Sequence, residues 1–293
     1  MVHGMIVTGE ERDPDLLASF WTLAGDLDIR DPGPSPWSFE QRVTAAAEAG
    51  FRGIGIDHRD VARFRSGPGL ERMHAMIESA GISIIELELL TGWLPGGPWP
   101  ANENTARVHD DLFAAAESLG ARHIKAGAGF AESNASTAAI TRAFAALCRR
   151  AERSGTSVML ELLPQGPIRT LARAVEVVDG AGPGGGLLLD AWHVQRAGVP
   201  MPAIAALSGC VGYVELCDGP LRAAEPALAD ATRNRKPCGE GDFDLPGFVG
   251  AVRQAGYRGP FGVEILSASL RTRPLAEIAR RCAAGARRLL TSS

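Results

Sequence analysis

The sequence predicts an α/β protein built as a single (β/α)8 TIM barrel over residues 1–293. Three observations predict it. Short apolar runs alternate with longer, Ala-rich amphipathic runs along the chain, and that alternation signals βαβ crossovers and a parallel sheet. Eight such units can be traced, which favours a closed barrel over an open sheet. The 293 residues suit one barrel, a fold of typically about 250 residues, and no linker divides them. An open doubly wound sheet is the alternative, but no G-x-G-x-x-G opens a helix after an early strand, so a dinucleotide fold lacks its fingerprint. The Gly-rich stretch at 182–186 precedes a strand and reads as a turn.

Taken in order, the first strand falls within 17–24, the weakest of the apolar runs. A helix follows over 39–50, ending on a glycine that suits the left-handed C-terminal position. Strand 52–57 leads to helix 70–81, strand 82–90 to helix 105–120, and strand 122–126 to helix 137–155. Strand 157–163 leads to helix 169–180, and strand 186–190 to a short helix near 202–209. Strand 211–217 precedes helix 245–256, and strand 260–266 precedes a closing helix over 274–290. Two connections are too long for turns: 91–104, containing TGWLPGGPWP, and 218–243, containing RNRK and then GEGDFD. Both follow strands, so in a barrel both overhang the mouth; the loop carrying Trp93 and Trp99 is expected to act as a substrate lid.

Composition narrows the function. Hydrophobic residues are 45% and charged residues 22%, with a net charge of −4. That balance supports a large core and lacks the basic footprint nucleic acid requires. Cys148, Cys210, Cys217, Cys238 and Cys282 are scattered without a CxxC pair, which argues against a disulfide framework or a thiolate zinc site. The N-terminus shows no apolar core of signal-peptide length, and no apolar run reaches the roughly 18 residues of a membrane span. A cytoplasmic protein with no membrane partner is expected.

Acidic residues recur where the later strands end. Glu161 follows SVML, Asp190 follows GLLL, Glu215 sits in YVELCD and Glu264 follows FGV. If the strands alternate regularly, each points into the barrel at its C-terminal face. Carboxylates crowded in a dry mouth repel one another, and a divalent cation relieves this; a structural ion-pair network is the alternative. His193 lies one turn beyond Asp190 in DAWH, placed to share a metal centre or to hold a metal-bound substrate. Lys125, near the end of strand four, is a candidate for an anionic substrate group. Glu88 ends strand three and can line the pocket, with Glu86 deeper on the same face. Of Asp57 and His58, one is expected to face the mouth. His3, His74, His109 and His123 form no constellation and read as structural or surface residues.

At these residues the chain resembles the xylose isomerase-like TIM-barrel superfamily, the sugar phosphate isomerase/epimerase group. The resemblance runs from about residue 38 to the C-terminus, through SFEQRVTAAAEAGFRG (38–53), Glu161, DAWH (190–193), YVELCD (213–218), RKPCGEGDFD (235–244) and GPFGVE (259–264). It implies metal ligands at Glu161, Asp190, Glu215 and Glu264, a substrate contact at His193, and Arg235 on substrate oxygens. It also places Glu161 and Glu264 on opposite sides of a bound sugar, as the proton-transferring pair. Glu215 departs from the family, where strand seven usually supplies His. Four carboxylates around one divalent ion leave a surplus of two negative charges. Either Arg235 or Lys125 offsets them, or Glu215 is not a ligand. An all-oxygen set favours Mn²⁺ or Mg²⁺ over Zn²⁺ or Co²⁺.

The resemblance implies a metal-dependent isomerase or epimerase that works through an enediolate on a small polyhydroxylated substrate. The alternatives are a dehydratase of a keto-inositol or dehydroshikimate-like compound and a barrel that binds without catalysis. An endonuclease of the same superfamily is disfavoured by the 6 histidines and the negative charge. Family members are often homo-oligomers.

Overall fold

A computed structural model describes residues 14–292 except 28, 30–32 and 100. Eight parallel strands close into a barrel in sequence order, the last pairing with the first. The strands are β1 (Leu16–Ala18), β2 (Gly53–Asp57), β3 (Ile84–Leu90), β4 (His123–Ala126), β5 (Ser157–Glu161), β6 (Gly185–Asp190), β7 (Val211–Leu216) and β8 (Phe261–Val263). Between and after them run α1 (Phe20–Leu23), α2 (Phe39–Glu48), α3 (His58–Arg65), α4 (Leu70–Ser79), α5 (Glu103–Leu119), α6 (Thr137–Arg153), α7 (Leu171–Ala181), α8 (Ala191–Arg196), α9 (Met201–Ala205), α10 (Ala227–Arg233), α11 (Leu245–Gln254) and α12 (Leu275–Thr291).

The helices begin and end for local reasons. Ser38 and Gln41 form a reciprocal capping box at the start of α2, which satisfies two amides that the first turn leaves unpaired. Beyond its end Gly50 adopts φ +81°, where a side chain would be strained. Asp57 and Asp190 each finish a strand and cap the following helix, accepting from the amides of Arg59 and Trp192. The turn from strand to helix is thus tied to the strand-end carboxylate itself.

Two cores result. The large one lies between the barrel wall and the helices and includes Leu87, Ile124, Leu160, Leu189 and Val214 with helix residues such as Phe144 and Phe248. Burying each such side chain contributes about 1.5–3 kcal/mol. The small one fills the barrel itself: Met159, Leu188 and Tyr213. Strand alternation assigns neighbouring residues to opposite cores. Close approach sets some identities, since a Cβ on Gly262 would collide with the Tyr213 hydroxyl, and one on Gly212 with the Met159 sulfur.

The structure corrects several sequence expectations. The first strand stops at Ala18, and Phe20–Leu23 turn into a short helix. Helices α3 and α8 directly follow β2 and β6, where loops were expected, and α10 lies inside the 218–243 connection. Trp93 is no lid. It is buried, donates from its indole nitrogen to the Gly127 carbonyl at 2.7 Å and packs against Phe144. All five cysteines are free and buried. Among the described residues no helix is long and apolar enough to cross a membrane.

Candidate active site

Two residues above the small apolar core, the same strands turn charged. Met159 is followed by Glu161, Leu188 by Asp190, Tyr213 by Glu215 and Gly262 by Glu264; His123 is likewise followed by Lys125 and Glu86 by Glu88. Period-two alternation keeps each upper residue on the inner face of its strand. The result is a buried tier of carboxylates at the C-terminal end of the barrel, where sites on this architecture are built. Glu86, Glu88, Glu161, Asp190, Glu215 and Glu264 are all buried, as are Lys125 and Arg235.

Lys125 stands among four of these acids. Its Nζ donates to Glu264 Oε1 at 2.7 Å and Glu215 Oε1 at 3.0 Å. It also lies 3.1 Å from Glu88 Oε2 and 3.5 Å from Glu86 Oε1. Below it, His123 Nε2 is 3.0 Å from the other Glu86 oxygen. Burial works against the ammonium, but Glu215, Glu264, Glu86 and Glu88 outweigh it and hold its pKa well above the usual lysine value. Arg235 takes the opposite flank, with Nη1 donating to Asp190 Oδ2 at 2.7 Å and Glu264 Oε2 at 2.9 Å. Burial alone would raise Glu264; Lys125 and then Arg235 pull it down to about 2. Burial raises Glu88 to about 8, and burial with the nearby Glu264 charge lifts Glu215 well above the carboxylate range.

The remaining contacts are shared unevenly. Asp190 spends Oδ1 on the α8 cap, at 2.8 Å from the Trp192 amide. Glu161 has His193 Nε2 at 3.4 Å, and the same nitrogen is 3.7 Å from Asp190 Oδ2. Ser19 Oγ donates to Glu215 Oε1 at 2.7 Å, while Glu215 Oε2 is buried without a hydrogen-bond partner.

The donor set fits a divalent cation. One oxygen from each of Glu161, Asp190, Glu215 and Glu264 lies within 4.8 Å of the others. An ion with bonds of about 2.1 Å spreads its ligands by up to about 4.2 Å, so small side-chain rotations close the shell. The orphaned Glu215 Oε2 is the kind of buried acceptor that calls for a partner. Glu161, Asp190 and His193 form a second, overlapping group of the same compactness.

A narrow cleft of about 50 Å³, partly open to solvent, lies over this tier. Its floor is Glu88, Lys125, Glu161, His193, Arg235 and Glu264, and its walls include Trp21, Phe130, Leu228 and Leu266. Trp99 packs edge-on to Phe130, so this part of the 91–104 loop supports the wall. A larger groove of about 450 Å³ between α9 and α11 carries no titratable group and lies away from the tier.

Seven of the residues expected to act together are therefore neighbours: Lys125, Glu161, Asp190, His193, Glu215, Arg235 and Glu264, with Glu88 beside Lys125. His58 is not among them. It begins α3 on the outer layer, 3.1 Å from Asp111 of α5. His109 bonds the Thr91 carbonyl and His74 is exposed; His3 lies outside the described residues. The sequence reading missed Ser19, Trp21 and Phe130. Ser19 was detectable in principle, because it follows the inward Leu17 by two places, but only once β1 is ended correctly.

A family model described as xylose isomerase-like TIM barrel matches residues 43–287. A 3-dehydroshikimate dehydratase of Pseudomonas aeruginosa is 26% identical over 238 residues, which cover 80% of this chain and 37% of that protein. The chain thus spans little more than a third of that relative. A putative hydroxypyruvate isomerase of Streptomyces coelicolor is 27% identical over 251 residues, covering 76% of this chain and 84% of that one. Among solved structures, the IolI protein with a bound zinc atom superposes with a TM-score of 0.79 at 16% identity, over 95% of this chain and 98% of the other.

Proposed function

Because this chain belongs to the xylose isomerase-like TIM-barrel family, whose members include isomerases and dehydratases, we propose that it is a divalent-metal-dependent isomerase or epimerase of a small α-hydroxy carbonyl compound of sugar type. The observation that carries this reading is the convergence of four buried carboxylates from β5, β6, β7 and the end of β8 beneath an open cleft. Glu161, Asp190, Glu215 and Glu264 would hold the ion, with His193 alongside. Bound there, a divalent ion supplies Lewis-acid polarisation of a carbonyl and offsets the charge of an enediolate.

The residues of the chain do the rest. Glu161 is the base that takes the proton α to the carbonyl, because of the ring of acids it is the one not held by Lys125 or Arg235. Glu264 lies on the opposite side and is clamped between both cations. It is the weaker base and serves first to hold the ion and orient the substrate. Arg235 and His193 present N–H donors to substrate oxygens. The walls of Trp21, Phe130, Leu228 and Leu266 present apolar surface to the substrate above these polar groups. The fuller carboxylate set leans toward Mn²⁺ or Mg²⁺. His193 and the zinc-bound neighbour keep Zn²⁺ and Co²⁺ in the comparison.

Dehydration is the second reading, favoured by the dehydratase relative. It begins with the same proton abstraction and diverges when a β-hydroxyl leaves. One experiment separates the two. The purified protein, loaded in turn with Mn²⁺, Mg²⁺, Zn²⁺ and Co²⁺, is incubated in D₂O with hydroxypyruvate, a ketose series and 3-dehydroshikimate, and followed by NMR. Deuterium entering the α-position without loss of water supports isomerisation. Loss of water supports dehydration. No exchange with any pairing ends the enediolate reading.

A further inference from the structure

Lys125 presents an arrangement that substrate binding does not require. Its side chain is only 2% exposed, and its ammonium is already engaged by the protein's own acids. Around Nζ lie carboxylate oxygens from four residues, at 2.7, 3.0, 3.1 and 3.5 Å, contributed by β3, β7 and the end of β8. An ammonium has three N–H donors, so these four acceptors form a coordination shell around a cation, more than a set of paired hydrogen bonds. The shell is fixed from outside. His123 holds Glu86 from below, the Phe20 amide donates to Glu88 Oε1 at 3.1 Å, and Ser19 donates to Glu215.

The division of oxygens is equally ordered. Glu215 and Glu264 each turn Oε1 toward Lys125. Glu215 keeps Oε2 unpartnered, and Glu264 turns Oε2 to the Asp190 side through Arg235. The two glutamates therefore stand between two cation positions, one occupied by Nζ and one facing Glu161 and Asp190. Six carboxyl groups gathered in one barrel offer oxygens enough for two divalent ions, and buried charge has to be matched locally.

We propose that Lys125 is the second cation of this centre, a tethered ammonium standing where a second divalent ion would otherwise bind, so that each chain takes one exchangeable ion. It rests on the reading above that the centre holds a divalent metal. Lys125 on this view is a positioning residue: it sets the stoichiometry of the site and holds Glu215 and Glu264 with their outer oxygens toward the cleft.

The test is titration of Mn²⁺ into the metal-stripped full chain, with electron paramagnetic resonance counting free and bound ion. The wild type is expected to bind one Mn²⁺ with an uncoupled signal, up to millimolar metal. Lys125→Met keeps the length and removes the charge; it is expected to bind two, with the spin-exchange signature of ions bridged by shared carboxylates. Two coupled ions in the wild type overturn the proposal and leave the metal reading standing. A folded Lys125→Met that stays at one ion overturns it as well. A wild type that binds no ion overturns both. If Lys125→Met does not fold, Lys125→Gln is titrated in its place, and the wild-type count remains decisive on its own.

Discussion

On the β3–β4 side of the mouth, Glu86 and Glu88 meet Lys125 within 3.5 Å, and Glu86 is held again by His123. On the β5–β6 side, Glu161 has a histidine at 3.4 Å, and Asp190 shares its inner oxygen with an arginine that also serves Glu264. Both sides bury acids of the same kind at the same height. They differ most at Glu161: its nearest donor is the imidazole at 3.4 Å, whereas Glu88 has both oxygens taken, by Lys125 and by the Phe20 amide. A carboxylate whose acceptors are filled by fixed donors is scaffold. One whose acceptors are kept open under a cleft is where an outside ion or substrate completes the structure. The contrast locates chemistry on the β5–β6 side and rigidity on the other.

The strongest way to break this contrast is Glu161→Gln. It should lower turnover by about 10² to 10⁴-fold, the usual scale of lost proton-transfer assistance, with circular dichroism unchanged. If Glu161→Gln retains turnover while Glu88→Gln abolishes it, the two sides have been assigned backwards. Arg235→Met removes the cation that joins Asp190 to Glu264, leaving Asp190 buried without its cation and Glu264 with Lys125 alone. Chemical denaturation should show a loss of about 3–5 kcal/mol, and a variant as stable as the parent would mean that Arg235 does not link the sides. Glu215→Ala sharpens the boundary between them. If the unpartnered Oε2 is a metal donor, calorimetric titration should show affinity falling by about 10-fold or more. Unchanged affinity would give Glu215 wholly to Lys125. The smallest effect is expected at His58→Asn: stability within about 0.5 kcal/mol and no change in turnover, since the ring meets Asp111 outside the barrel. Loss of activity there would extend the site beyond the mouth.

How far the sequence spoke follows from the range of the interactions involved. Glu161, Asp190, Glu215 and Glu264 were visible because an acid closing an apolar run is a local anomaly, and strand periodicity then fixes the face it occupies. Lys125 was visible as a strand residue, but its partners Glu215 and Glu264 lie 90 and 139 residues away, and no local pattern records a pairing across the barrel. Trp93 read as a lid because aromatic residues in a Gly/Pro-rich loop look exposed. Its burial depends on Phe144 and on the Gly127 carbonyl, which only the closed fold brings near. The short helices α3 and α8 are hard to read from sequence because each begins directly after the residue that ends a strand. The capping Asp57 and Asp190 therefore read as strand-end acids, and neither marked a helix start.

The double use of Asp190 has a mechanical consequence. One oxygen is fastened to the first turn of α8, and His193 sits in that same turn. Carboxylate and imidazole are therefore two arms of one bracket, bolted to the end of β6 and unable to swing apart without unwinding the helix. A bound molecule meets these arms already set, so variation in what the cleft accepts falls to the parts that are not bolted down. Those are the residues after β1, after β4 and within the long 218–243 connection, which supply Trp21, Phe130 and Leu228. A change of substrate during divergence of this chain would be written there, in apolar side chains, with the bracket carried through unaltered.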